Sequence, residues 1–149
     1  MIDSTVLYRY SLFDGLEQDQ INSILPLLQQ ETYEAGDDII SEGSQNYKIY
    51  FILEGHVAAV KNGIILEEIG EGAFFGEMEV LDVMPSAATI KSLAKTKVMV
   101  LSINALGEIY ESDLNTYSFI IMNLAKDLSR RLRRMNTMLT NESPLMDWN

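Results

Sequence analysis

Three patterns of apolar and polar positions follow one another along the chain. From Ser11 to Gln30, apolar residues stand at Leu12, Leu16, Ile21, Ile24, Leu25 and Leu28. That spacing predicts short helices packed by one face, with Pro26 interrupting them or opening a turn. From Glu31 to Ile103 the chain turns to short, partly alternating runs rich in β-branched and aromatic residues: YKIYFILE, HVAAVK, IILEEI, ATIKSLA and KVMVLSI. Glycines at 36, 43, 55, 63, 70, 72 and 76 punctuate them, as turns between strands require. Asn62-Gly63 predicts a tight hairpin, since both of its central residues take positive φ. Many short strands at this spacing read as an antiparallel sandwich or barrel.

After Ile103 the helical period returns. Asn104 to Tyr110 predicts a short helix, and Asp113 or Asn115 can cap a second that runs from Tyr117 to Leu139 without proline or glycine. In it, Ile121, Leu124, Leu128, Leu132, Met135 and Leu139 recur at steps of three and four, which makes an amphipathic stripe about six turns long. The tail, TNESPLMDWN, is polar and is expected to fray.

Composition narrows this picture. The 149 residues suffice for one domain, expected over 1–149, with N-terminal helices at 10–30, a β region at 31–103 and C-terminal helices at 104–140. A chain of this size buries about 68–70% of its unfolded surface. It has no apolar run of membrane-spanning length, and Asp3 stands where a signal peptide would be basic. With no cysteine, thiolate-held clusters, disulfides and cysteine nucleophiles are excluded, and a cytoplasmic location is expected. Net charge is −11, which argues against a general nucleic-acid surface. Five of the eleven basic residues nevertheless lie between Lys126 and Arg134.

An ordered series of residues resembles the cyclic-nucleotide-binding domain family of catabolite-activator-like (Crp/Fnr-like) regulators, protein kinase A regulatory subunits and nucleotide-gated channels. The series is Phe13 and Leu16; Gly36-Asp37-Asp38-Ile39-Ile40 with Glu42-Gly43; Tyr50 to Gly55; Gly70-Glu71-Gly72; Phe75-Gly76-Glu77; and Pro85 with Ala88-Thr89. The resemblance implies a mainly β fold, an antiparallel jelly roll (double-stranded β-helix) with flanking helices and a long C-terminal helix. It also implies a phosphate cassette formed by Phe75, Gly76, Glu77, Met78, Pro85, Ser86, Ala87 and Ala88. In the family, backbone N–H groups opening a short helix face the cyclic phosphate, the glutamate accepts the ribose hydroxyl, and an arginine after the proline pairs with the phosphate. A helix N-terminus suits an anion, glycine permits close approach, and a guanidinium gives two parallel charged bonds.

Here the cassette departs from the family. Ser86 stands where the arginine falls, Ala87 replaces a common hydroxyl residue, and Glu79 adds negative charge where a small residue is usual. Losing a hydrogen bond to a charged group costs about 1.5–3 kcal/mol, or about ten- to a hundredfold in affinity. Binding of cAMP or cGMP is therefore expected to be weak or lost, with a cyclic nucleotide the one effector implied. Ser86 reads more simply as a small surface loop residue, and Glu79 as a solvated one.

Other candidates are thin. His56 is the lone histidine, and Asp37-Asp38 and Glu67-Glu68 lack the spacing of a calcium loop, so no metal ligands are assigned. No catalytic set, Walker loop or dinucleotide fingerprint is present, so no catalytic residues are named and no enzyme is expected. The later half of the long helix predicts a homodimer through Leu124, Leu128, Leu132, Met135 and Leu139. The arginines at 130, 131, 133 and 134 suit a negative helix end better than DNA. No DNA-reading helix-turn-helix is expected in the chain through Asn149. The expectation is a stand-alone regulatory domain; its alternatives are a protein-interaction or dimerisation module with another effector or none, and a transcription-regulator relative without its DNA-binding part.

Overall fold

The structure is a computed structural model that describes residues 2–142, so Trp148-Asn149 and the rest of the tail from residue 143 lie outside the described residues. The helical opening comprises α1 (Ser4–Leu7), a 3-10 turn at Ser11–Phe13, α2 (Gln18–Ile24) and a second 3-10 turn at Leu25–Leu27 that holds Pro26. Helix α1 was not legible in the apolar spacing. It is a single turn started by Asp3, whose carboxylate accepts the Thr5 N–H at 3.0 Å.

Eight strands follow: β1 (Gln29–Tyr33), β2 (Asp38–Ile40), β3 (Lys48–Glu54), β4 (His56–Lys61), β5 (Ile64–Gly70), β6 (Phe74–Phe75), β7 (Thr89–Ser92) and β8 (Thr96–Ser102). They form two four-stranded antiparallel sheets, β1-β8-β3-β6 and β2-β7-β4-β5. The fold is the antiparallel jelly roll with flanking helices that the resemblance implied. At the β4–β5 hairpin, Asn62 and Gly63 take φ of 53° and 73°, as their turn demands.

The central strands of the first sheet, β3 and β8, are buried on both faces, which explains why YKIYFILE and KVMVLSI alternate so poorly. Successive side chains point to opposite faces. Tyr50, Ile52, Val98, Val100 and Phe75 fill the inside of the roll with Val57, Ile69 and Ile90 of the second sheet. Ile49, Phe51, Met99, Leu101 and Phe74 face the other way, into a helical layer that includes Leu7, Leu12, Phe13, Ile21 and Ile24. Tyr10 clamps that layer to the sheet: its hydroxyl donates to Ile52 O at 2.6 Å, and burial pushes its pKa up to about 12, so it stays a donor.

Helix α3 (Glu77–Asp82) lies between β6 and β7, and α4 (Ile103–Ser112) and α5 (Leu114–Glu142) close the chain. Asp113 is the residue that holds the start of α5, accepting the Thr116 N–H. The helix continues through the beginning of the tail expected to fray.

The buried stripe of α5 also differs from the apolar one. Ile120 is buried where Ile121 was expected, and Thr116, Asn123 and Leu124 are buried beside it. Asn123 Nδ2 donates to Leu12 O at 3.0 Å and Asp14 O at 2.8 Å. The face of a helix tolerates such polar residues only where the partner offers acceptors. The helix therefore packs chiefly on the N-terminal turns and α4. Leu124, expected on a dimer face, belongs to the domain's own core at 1% exposure.

Candidate functional site

The cassette begins where β6 stops. Gly76 takes a left-handed conformation, φ 89°, and a Cβ there would lie 2.6 Å from Lys48 O and 2.9 Å from Asn46 Nδ2. Only glycine fits. Asn46, itself buried, donates to Lys48 O and Gly76 O and pins this turn to the edge of β3. Helix α3 runs for a turn and a half and ends at Val83, φ 59°, whose N–H bonds back to Glu79 O. A β-branched residue in the left-handed region stores about 1–3 kcal/mol of backbone strain.

The return loop is fixed by Ser86. Its N–H donates to Ser44 O, its carbonyl accepts the Gly43 N–H, and its hydroxyl donates to Ala88 O at 2.7 Å. It is 5% exposed, not the surface residue the sequence reading favoured. Its one hydroxyl proton is already committed inside the loop. Met78, Pro85 and Ala87 are exposed and Ala88 is half-buried, and all four line the cavity that this loop borders.

Between helix and loop lies a cavity of 380 Å³, the size of a small-ligand site. Ala59, Ile69, Phe75 and Ile90 supply apolar walls, and Phe75 stacks on Tyr50 with centroids 4.9 Å apart. Its carboxylates are Glu67, Glu77, Glu79 and Asp82, of which Glu79 is half-buried. Among the described lining residues, Arg131 is the one basic side chain.

Arg131 arrives from α5, and its charge is already claimed. Nη1 donates to Glu77 Oε1, Nη2 donates to Phe74 O at 3.2 Å, and Nε lies 3.2 Å from Asp127 Oδ2 on the preceding turn. The guanidinium also sits 5.7 Å from the centroid of the Phe74 ring. Glu77 is 1% exposed. Burial raises its pKa, Arg131 pulls it back, and Asp127 and Glu79 push it further up.

Arg131 was missed as a site residue: the sequence reading counted it with the arginines suited to a helix end. It lies mid-helix and reaches the cassette. The available signal was its place two turns beyond Leu124 on the same face, with Asp127 between. Of the dimer candidates, Leu128 is half-buried, and Leu132, Met135 and Leu139 are exposed. His56 is exposed at the start of β4; Asp37 accepts the Glu34 N–H and Asp38 pairs with Lys91, ordinary turn and strand roles.

Two rolled sheets around a cavity, with a glycine-glutamate helix and a proline loop at its mouth, define a ligand-pocket β-roll. The chain belongs to the cyclic nucleotide-binding domain family, whose model matches residues 30–113, more than half its length. It is 32% identical over 79 residues to a cAMP-dependent protein kinase regulatory subunit of Yarrowia lipolytica, a match covering 53% of this chain and 21% of the relative. The chain thus spans about a fifth of that relative's length. A cyclic nucleotide-binding domain from Methylobacillus flagellatus has the same fold, with a TM-score of 0.81 at 22% identity, over 93% of this chain and 80% of that one. The catabolite activator protein of Thermus thermophilus superposes with a TM-score of 0.75 at 26% identity, over 89% of this chain and 63% of that one. No helix among the described residues is long and apolar enough to cross a membrane.

Proposed function

We propose that this chain is a non-catalytic, cytoplasmic regulatory domain of signal transduction, 1–149 forming one unit, in which cAMP and cGMP binding is weak or lost. The observation that carries this is the charge balance of the cassette. The lining holds four carboxylates and Arg131, whose guanidinium is engaged by Glu77, Asp127 and Phe74 O. A cyclic phosphate entering beside Ser86 meets a hydroxyl that already donates to Ala88 O. Calorimetric titration with cAMP and cGMP, beside a Ser86→Arg variant, tests it. Binding only by the variant is the expected result; micromolar binding by the wild type overturns the proposal.

The output of such a domain is α5. Leu132, Met135 and Leu139 are 58–61% exposed on a helix that extends past its own core. A second copy that covers this face gives a homodimer, which sedimentation at several concentrations detects.

A further inference from the structure

The arginine that entered the cassette came from the output helix, and this carries a consequence independent of nucleotide binding. Upstream, α5 is fastened by Ile120, Asn123 and Leu124. For the next two turns the fastening is Leu128, half-buried, and the contacts of Arg131. Beyond Arg131, the side chains at 132–141 are exposed. Among the described residues Arg131 is thus the last residue of α5 that hydrogen-bonds to the roll, and what it bonds is Glu77 at the start of α3; Arg134, one turn on, lines a cleft with β5 without such a bond.

We infer that Arg131 and Glu77 form an internal latch that docks α5 on the cassette without requiring a ligand, with Asp127 as the seat to which the guanidinium retires when the latch opens. The seat is visible in the geometry. Asp127 Oδ2 is buried and has no hydrogen-bond partner among the described residues, although Arg131 Nε lies 3.2 Å away outside hydrogen-bonding alignment. An unfilled acceptor beside a shared donor gives the side chain two discrete arrangements, the requirement for a two-state element. Glu77 ties the latch to the cassette: α3 begins at this residue, and Gly76 before it is pinned by Asn46. Displacing α3 therefore breaks the pair.

The latch is tested by hydrogen exchange of the full chain without nucleotide, read on peptides spanning 124–139 and on β3 and β8. Arg131→Met is expected to speed exchange in 124–139 by about tenfold, leaving both strands unchanged, as local opening does. Glu77→Gln removes the buried charge with the pairing and keeps the fold; it is expected to speed the same segment by a smaller factor. Residues acting on one contact are not additive, so the double variant should match Arg131→Met alone. Unchanged exchange in 124–139 in Glu77→Gln overturns the inference, as does an equal rise in β3 and β8 in that variant or full additivity in the double one.

Discussion

Up to Leu124, helix α5 is part of its own domain, with Thr116, Ile120, Asn123 and Leu124 buried; from Leu132 onward the same amphipathic period leaves Leu132, Met135, Met138 and Leu139 at 58–61% exposure. The apolar spacing does not distinguish the halves. The polar residues on the shared face do: Asn123 reaches two carbonyls and Arg131 reaches Glu77, and each needs an acceptor that the fold supplies. Past Arg131 no such polar contact to another element follows among the described residues. A helix face written only in leucine and methionine leaves its partner unspecified; one with committed polar groups has already chosen.

The largest expected effect comes from the buried half. Leu124→Ala removes a fully packed side chain and should cost about 2–5 kcal/mol, read as a lower denaturant midpoint. Asn123→Ala orphans the Leu12 and Asp14 carbonyls and should cost about 1–3 kcal/mol by the same measurement.

A smaller effect is expected with pH. The charged groups acting on Glu77 are Arg131 and Asp127 from α5 and Glu79 from α3, and burial outweighs the pull of Arg131. Its native pKa stands above the ordinary carboxylate value, so the native state holds its proton more tightly than the unfolded chain. That contribution is complete below the ordinary value and is lost as pH rises through the native one. Stability should therefore fall with rising pH across that window, and Glu77→Gln should flatten the slope in denaturant midpoints measured from acid to neutral buffers. The smallest effect on monomer stability belongs to the exposed half. Met135→Ala and Leu139→Ala should each stay within about 0.5 kcal/mol, while their combination should abolish the proposed dimer in sedimentation. Equal destabilisation by Met135→Ala and Leu124→Ala would erase the distinction between the halves.

Much of the architecture was legible because local chemistry dictated it. Asn62-Gly63 can turn only one way, and the run from Lys48 to Glu54 has the β-branched and aromatic content of a strand. Helix α1 was missed because one turn leaves no period to detect. At the cassette, Gly76 and Glu77 were legible through their order with Phe75 and Pro85. The commitment of Ser86 to Ala88 O was not, since one serine looks the same whether its hydroxyl faces solvent or its own loop. Arg131 was hidden by its neighbours: among four arginines in five positions, charge alone does not show which one enters the roll.

The two hydrogen bonds of Asn123 join residues 111 and 109 positions apart in the chain, and this sets an order of events during synthesis. Leu7, Tyr10, Leu12 and Phe13 leave the ribosome more than a hundred residues ahead of Ile120 and Leu124, which complete the layer they occupy. With translation at about 5–20 residues per second, these early side chains wait several seconds for their last neighbours. A nascent chain stalled before Ile120 should be cleaved readily by protease near Tyr10 and Phe13, and one extended past Arg131 and clear of the exit tunnel should resist.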